Sequence, residues 1–301
     1  DASQWEGLRT YSLYDWVEQS GLFAKIYRKT YSPALYEESL REAKAERYPI
    51  VVSLAHVRPQ QYADLAREIS PNGLVIGTRK PFSPLRPWHY LAYRKIDAVL
   101  VSYAGQDAGE HHISSVYADW FHQLTGLDIP IAERYPFVHI PEQALQQAQE
   151  QLTAWGFAPR QGPLILLNPF AKSHKRSWPL ERIAELIARM QKMPKWANAC
   201  FLINAMPQEL AKVDAVVQAH KLPRTQAFSA VDNFFQLPAM LAQCDLIISV
   251  ETSIMHLANA VHVPVVALMR KKSPEWAPFD SENSTVITVA RRSDWVKAIS
   301  V

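Results

Sequence analysis

The chain has 301 residues, of which 48% are hydrophobic and 20% charged, a composition typical of globular protein and a length that favours two domains. Its formal net charge of +3 is too small to indicate nucleic-acid binding, and no basic helix supports such a function. No apolar run reaches the roughly 18–20 residues of a membrane span, so we expect a soluble protein. Cys200 and Cys244 lie apart in apolar surroundings, which favours free thiols in the reducing cytoplasm over a disulfide or a zinc site.

The first half of the chain predicts an incomplete α/β domain. Nothing before residue 48 resembles the strand and glycine turn that usually open such a domain. Strands and helices then alternate, as in a parallel sheet. We predict helices near residues 12–20, 34–46, 60–69 and 113–124, and strands at 48–54, 74–77 and 97–102. A Rossmann-like domain that lacks its first strand is therefore expected over residues 1–145.

The segment from Arg79 to Lys95 is the most unusual part of this half. Its prolines oppose regular structure, and its cations, among them Arg79, Lys80 and Arg86, alternate with aromatic residues. Such a loop can hold an anionic, amphipathic partner such as a phosphorylated glycolipid at a membrane surface. It can equally be a solvated loop whose aromatic side chains attach it to the core.

The second half has a more regular alternation of strands and helices. A helix at residues 141–155 leads into a second domain, expected over residues 146–301. Parallel strands are predicted at 164–167, 200–204, 226–228, 246–250, 265–268 and 285–289, with helices at 179–190, 208–219, 236–243, 254–260 and 294–299. The last of these helices is the one that can cross back to the first domain.

The turn Glu251-Thr252-Ser253 lies between a predicted strand and a predicted helix. Open parallel sheets bind ligands at this position, where free N–H groups and the helix dipole attract anions such as phosphate. Thr252 and Ser253 add hydroxyl groups, and His256 follows one turn into the helix. The simpler interpretation is that the hydroxyls only cap the helix and that His256 is a partly buried histidine.

A basic loop follows the first strand of the second domain and opens at the same predicted sheet edge. It carries Lys172, His174, Lys175 and Arg176. Together with the turn at Glu251, this loop can bind a pyrophosphate and neutralise a departing diphosphate without a metal. The alternative is a solvated loop capped by Ser177. Neither a dinucleotide fingerprint nor a P-loop is present.

These residues resemble glycosyltransferase family 9, the ADP-heptose:lipopolysaccharide heptosyltransferases. The similarity rests on Asn168-Pro169, on Lys175-Arg176-Ser177-Trp178-Pro179, and on the run from Ser249 to Ala260 followed by Pro264. The family motifs are approximately K-R/H-W-P and D-T/S-G-x-x-H-x-x-A-A. The resemblance covers roughly residues 160–270, whereas residues 48–125 match only in their alternation of predicted strands and helices.

The resemblance implies a GT-B fold, in which two Rossmann-like domains face a central cleft. It implies metal-independent, inverting transfer of heptose from an ADP-sugar, with no further cofactor, to the inner core of lipopolysaccharide or to another lipid-linked anionic glycan. The segment from Arg79 to Lys95 adds the hypothesis of peripheral contact with the cytoplasmic face of the inner membrane. From the resemblance and the basic loop together, the donor site would comprise Lys172, Lys175, Arg176, Glu251, Thr252, Ser253 and His256. The acceptor site would comprise Arg79, Lys80 and Arg86 of the basic segment.

Three departures from the family pattern bear on this interpretation. Ser253 replaces the usual glycine, Ser177 is an extra residue before Trp178, and Glu251 stands where an aspartate is common. The N-terminal glycine-aspartate motif that supplies the family's general base is not found, so no catalytic base is named. If the chain as given is the whole protein, weak or absent transfer is expected. A transferase using another nucleotide-sugar and a non-catalytic nucleotide-sugar-binding protein are the alternatives.

Overall fold

The computed structural model describes residues 13–28, 32–55, 58–79, 84–85, 87–101, 112–157, 162–272 and 274–301. Within these ranges the chain forms two compact units. Ala24–Arg134 belong to the first unit, and the segment that ends at Phe23 joins Tyr135–Val301 in the second. The sequence-based division between residues 145 and 146 stays a prediction.

The first unit contains a parallel sheet of three strands in the order β1 (Ile50–Ser53), β2 (Leu74–Gly77), β3 (Ala98–Val99). Helix α3 (Pro59–Ile69) connects β1 to β2 and packs against both strands through the buried Ala63 and Ala66. The opposite face of the sheet, which carries Ile50, Val52 and Leu74, is exposed. The elements of this unit are α2 (Pro33–Ala45), β1 (Ile50–Ser53), α3 (Pro59–Ile69), β2 (Leu74–Gly77), α4 (Pro87–Tyr93), β3 (Ala98–Val99) and α5 (Ile113–Thr125).

Helix α4 corrects the expectation that the prolines between Arg79 and Lys95 exclude a regular element. The helix begins at Pro87 itself, a position that tolerates proline because the first helical N–H has no partner within the helix. Strand β3 is also shorter than predicted, since pairing with β2 is limited to Ala98 and Val99.

The second unit contains a parallel sheet of six strands: β4 (Leu164–Asn168), β5 (Cys200–Asn204), β6 (Thr225–Phe228), β7 (Leu246–Val250), β8 (Val265–Met269) and β9 (Ser284–Thr288). Their order in the sheet is β6-β5-β4-β7-β8-β9. This order is that of a doubly wound Rossmann sheet, in which the strand order reverses between β4 and β7. The fold class predicted for this half is confirmed.

Helices cover both faces of the six-stranded sheet, which explains why its central strands read as continuous apolar runs. Leu164 and Leu166 of β4 face one helical layer, whereas Ile165 and Leu167 face the other. The first layer contains α6 (Glu142–Ala154), α9 (Gln236–Leu241) and α10 (Ser253–Ala260), and the second contains α7 (Leu180–Gln191) and α8 (Leu210–Ala219).

Both ends of the described chain pack on this second unit. Helix α1 (Tyr14–Gln19) places Trp16 against Phe137 and Phe234. At the other end, the predicted helix at residues 294–299 is wrong: the structure has a 3₁₀ turn, Val296–Ala298, and Val296 is buried in the core of the second unit.

The central position of β4 leads to a stability prediction. Leu166 is fully buried between neighbouring strands and helices, so Leu166→Ala should lower the free energy of unfolding by about 2–5 kcal/mol through lost burial and a cavity. Urea denaturation followed by circular dichroism measures this loss. The control Leu22→Ala truncates an exposed leucine of the same unit and should change the value by no more than about 0.5 kcal/mol. Equal losses in the two variants would contradict the assignment of β4 to the core.

Candidate functional site

A large pocket opens in the second unit beside the point where the strand order reverses. The loops after β4 and β7 leave the sheet on either side of this point, which is where doubly wound sheets bind ligands. The pocket has a volume of about 1210 Å³. We call it the switch-point pocket. Its lining residues include Asn168, Phe170, Lys172, Arg176, Glu181, Asn204, Met206, Gln208, Glu209, Lys212, Glu251, Thr252, Ser253, Ile254 and Lys297.

A hydrogen-bonded network of buried and half-buried amide and hydroxyl groups forms the floor of the switch-point pocket. The Nδ2 of Asn168 donates to Ser249 Oγ (2.9 Å) and to Thr252 Oγ1 (3.0 Å), and the Nδ2 of Asn204 donates to Asn168 Oδ1 (3.0 Å). Asn168 is the last residue of β4, and Asn204 is the last residue of β5. The network therefore joins the carboxyl ends of three strands and fixes the hydroxyl of Thr252, which also caps α10.

The basic loop after β4 is held in place by its own backbone and by the end of the chain. His174–Arg176 form a 3₁₀ turn, and the N–H of Trp178 donates to the carbonyl of Pro169 (2.8 Å). The ring of Trp178 is buried, and its Nε1 donates to the carbonyl of Ile299 (2.9 Å). The extra residue Ser177 is accommodated because its Oγ accepts from the N–H of Ala171 (3.0 Å). The loop is thus anchored on both sides of its basic residues.

Glu251 is a buried carboxylate held between two arginines. Its Oε1 accepts from Arg176 Nη2 (2.6 Å) and Arg270 Nη2 (3.0 Å), and its Oε2 accepts from Arg270 Nε (3.2 Å). The side chain of Glu251 is only 5% exposed, compared with 15% for Arg270 and 34% for Arg176. Burial raises the pKa of Glu251, but the hydrogen bonds from Arg270 and then Arg176 outweigh burial and hold the pKa below its usual range.

The charges around the pocket favour an anion at the end nearest Arg176. Among the residues that the structure describes, four lining side chains are cationic (Lys172, Arg176, Lys212 and Lys297) and three are carboxylates (Glu181, Glu209 and Glu251). Lys212 pairs with Glu209 (2.8 Å), and Glu251 is already bound by its two arginines. The Nε–H of Arg176 is shielded from solvent and has no acceptor within the described ranges. Beyond these pairs, the pocket has the cations Lys172, Lys297 and the outer part of Arg176 against one further carboxylate, Glu181.

The structure brings five of the seven predicted donor-site residues to this pocket. Lys172, Arg176, Glu251, Thr252 and Ser253 line it. The other two contact tryptophans instead. The Nζ of Lys175 lies 5.6 Å from the ring centroid of Trp295, and the ring of His256 makes an edge contact with Trp276 at 6.3 Å between centroids.

The predicted acceptor residues belong to the first unit. Arg79 is exposed, and it follows the carboxyl end of β2 and the buried Thr78. Lys80 and Arg86 lie outside the described residues. The acceptor site stays a prediction on this basis.

Sequence reasoning missed several residues of the pocket and its surroundings. Asn204 and Arg270 could have been found, since each lies at the carboxyl end of a strand, as do the residues that were identified after β4 and β7. The same rule, applied to β5 and β8, identifies them. No sequence rule points to Trp295 or Lys297. Lys297 lies in the 3₁₀ turn near the end of the chain, Trp295 directly precedes that turn, and neither follows a strand of the sheet.

The described residues include no helix that is long and apolar enough to span a bilayer. They also contain no group of three or more histidine, cysteine, aspartate or glutamate side chains arranged to hold a metal ion.

Comparisons with known proteins point to one family. A model of glycosyltransferase family 9 (heptosyltransferase) matches residues 92–297. Lipooligosaccharide heptosyltransferase 2 of Haemophilus influenzae is 27% identical over 174 residues, which make up 53% of this chain and 46% of that protein. The chain thus spans about half the length of this curated relative.

Solved structures are similar in fold. A family 9 glycosyl transferase of Veillonella parvula DSM 2008 superposes with a TM-score of 0.70 at 20% identity, covering 91% of this chain and 76% of the other. The ADP-heptose lps heptosyltransferase II of E. coli gives a TM-score of 0.62 at 17% identity, covering 88% and 76%. The predicted GT-B fold class is confirmed by this similarity.

The charge state of Glu251 predicts a pH-dependent stability. Glu251→Gln should lower the free energy of unfolding at pH 7 by about 3 kcal/mol, because it leaves Arg176 and Arg270 without their carboxylate. The folded pKa of Glu251 lies below the ordinary value of 4.5, so its contribution is complete above that pH and is lost as the pH falls through the folded pKa.

Urea midpoints of wild type and Glu251→Gln, measured from pH 7 down to pH 3, test this expectation. The difference between the two proteins should narrow below about pH 4.5. Glu282→Gln, at an exposed position, serves as the control and should leave the midpoint nearly unchanged throughout. A difference between wild type and Glu251→Gln that stays constant over this range would show that the pKa of Glu251 is the same in the folded and unfolded protein, and that the arginines do not lower it.

Proposed function

We propose that this chain, which belongs to glycosyltransferase family 9, binds an ADP-sugar in the switch-point pocket and transfers heptose to the inner core of a lipopolysaccharide. The names of its relatives support the substrates: one is a lipooligosaccharide heptosyltransferase, and another is an ADP-heptose lps heptosyltransferase. The observation that carries the proposal is the convergence of Arg176, Lys172 and the amino end of α10 on one pocket.

A diphosphate fits this end of the pocket on chemical grounds. The first N–H groups of α10 have no acceptor within the helix, and the helix dipole places partial positive charge there. The guanidinium of Arg176 can make charge-assisted hydrogen bonds to phosphate oxygens, and Lys172 adds a second cation. Thr252 is held by Asn168 and cannot turn away, so its position relative to the helix end is fixed before a ligand binds.

The remainder of the pocket offers surface for a nucleoside. Phe170, Met206 and Ile254 provide apolar walls, and Asn204 and Gln208 provide amide groups between them. Pockets for nucleotides combine apolar surface with a few fixed polar groups in this way. The nucleoside would therefore extend from the diphosphate toward the residues that follow β5.

The proposed transfer is inverting and needs no metal. A hydroxyl of the acceptor sugar attacks the anomeric carbon of the heptose, the new C–O bond forms, and the bond from that carbon to the β-phosphate oxygen breaks. The departing diphosphate keeps the electron pair, and Arg176, Lys172 and the helix end stabilise its charge. The proton of the attacking hydroxyl passes to a base that we do not assign.

The acceptor is proposed to contact the first unit. Arg79 lies exposed after a strand end, and with Lys80 and Arg86 it would attract the anionic groups of a lipopolysaccharide core. Such an acceptor would bring the protein to the cytoplasmic face of the inner membrane as a peripheral protein. The support for this acceptor is the positive charge of these three residues and the acceptors named for the relatives, a lipooligosaccharide and a lipopolysaccharide.

Calorimetric titration of the purified chain with ADP, and with UDP in parallel, tests the donor. We expect ADP to bind with a dissociation constant on the order of micromolar, and UDP to bind more weakly. Arg176→Gln should weaken ADP binding at least about tenfold, because it removes a charge-assisted contact to phosphate. Arg292→Gln removes the same charge from an exposed arginine and should leave the affinity unchanged.

The outcomes separate the alternatives. Tighter binding of UDP than of ADP would assign a different donor to the same pocket. Binding of ADP without release of ADP from ADP-heptose, in the presence of heptose-free lipopolysaccharide, would limit the function to nucleotide-sugar binding. If neither nucleotide binds, or if Arg176→Gln binds as wild type does, the proposed donor site is wrong.

A further inference from the structure

Arg270 makes two side-chain hydrogen bonds to Glu251, whereas Arg176 makes one. Arg270 directly follows β8, and its Nε and Nη2 donate to both oxygens of Glu251 in a bidentate pair, while its backbone N–H points to the same carboxylate at 3.4 Å. Arg176 reaches that carboxylate through Nη2 alone and remains one-third exposed at the pocket. A bidentate pair of low exposure has a defined geometry, whereas the single contact of Arg176 leaves its Nη1 available.

Trp295 links this cluster to the basic loop. The Cζ of Arg270 lies 5.4 Å from the centroid of its ring, and the Nζ of Lys175 lies 5.6 Å from it, both within the range of cation–π attraction. The residues that follow Trp295 are anchored, since Val296 and Ile299 are buried in the core and the carbonyl of Ile299 accepts from Trp178. The indole is therefore a fixed platform for two cations.

We propose that Arg270 and Trp295 are positioning residues that direct the guanidinium of Arg176 toward an anion in the switch-point pocket. The inference rests on the proposed function in one respect: the anion is taken to be the diphosphate of the donor. Glu251 then acts through Arg176, because both of its oxygens are occupied by arginines and little of its surface is exposed.

The charge of the cluster explains why a second arginine is needed. Glu251 with Arg176 alone is neutral, and the buried carboxylate would compete with a phosphate for the single guanidinium while repelling the phosphate directly. Arg270 gives the cluster a net charge of +1, and Arg176 is the arginine that lines the pocket. The surplus positive charge thus faces the ligand, although Arg270 itself is not among the lining residues.

Charge rescue, measured as affinity for ADP beside the urea midpoint of each variant, separates a positioning role from a merely structural one, in which the loss of binding would follow the fraction of unfolded protein. Arg270→Gln should weaken ADP binding about tenfold, as measured by calorimetry, because Glu251 then neutralises Arg176. Adding Glu251→Gln to that variant removes the competing carboxylate and should restore most of the affinity. Arg292→Gln is the charge-matched control and should bind as wild type does.

Two results would overturn the role of Arg270. If Arg270 contacted the phosphate directly, the double variant Arg270→Gln/Glu251→Gln would recover little affinity over Arg270→Gln. Unchanged affinity in Arg270→Gln would likewise contradict the proposal. Adding Arg270→Gln to Arg176→Gln/Glu251→Gln should cause little further loss, since the effect passes through Arg176 and no carboxylate is left unpaired.

Trp295 is tested by a conservative pair of variants. Trp295→Phe keeps an aromatic face for Lys175 and Arg270 and should stay within about threefold of wild-type affinity, whereas Trp295→Leu should lose several-fold more. Equal affinities in these two variants would remove Trp295 from the positioning role.

Inorganic pyrophosphate separates this inference from the proposed function. If wild type binds neither ADP nor UDP but binds pyrophosphate, and the same charge rescue is seen with pyrophosphate, the nucleotide-sugar function is wrong and the positioning role stands. If wild type does not bind pyrophosphate either, no anion is held by Arg176 and the positioning role is overturned as well.

Discussion

The pairing of one buried carboxylate with two arginines determines the geometry of the switch-point pocket. Glu251 follows β7, Arg270 follows β8, and Arg176 belongs to the loop after β4, so a single carboxylate joins three neighbouring strand ends. Removing one partner of such a group leaves an uncompensated buried charge, which is strongly destabilising. Stability and ligand binding at this site are therefore coupled through the same side chains.

The sheet topology explains why these groups meet. In the order β6-β5-β4-β7-β8-β9, the loops after β4 and β7 diverge on either side of one point, and a pocket opens between them. The amides of Asn168 and Asn204 extend the same edge toward β5. A pocket thus forms where the fold leaves strand ends uncovered, and the pairing of β5, β4, β7 and β8 fixes the register of those ends.

The parts that the sequence predicted well are those decided by local pattern. The apolar runs of β4, β5, β7 and β8, each ended by polar or turn residues, located the strands, and the rule about strand ends then identified Lys172, Arg176 and Glu251. What it missed depends on contacts between residues far apart in the chain. Trp295 meets Lys175 across 120 positions, and neither residue has a local pattern that indicates this contact. Helix α4 was missed because Pro87 was taken as a breaker, although at the start of a helix proline is tolerated.

A crystal structure of the chain with ADP would test the central claim most directly. The diphosphate should lie in the switch-point pocket, within hydrogen-bonding distance of the guanidinium of Arg176 and the backbone N–H of Ser253, while Glu251 keeps its bidentate pair with Arg270. A nucleotide bound elsewhere in the second unit would contradict the assignment of the pocket. A complex in which Glu251 releases Arg270 and turns to the ligand would contradict the positioning of Arg176 by a buried carboxylate.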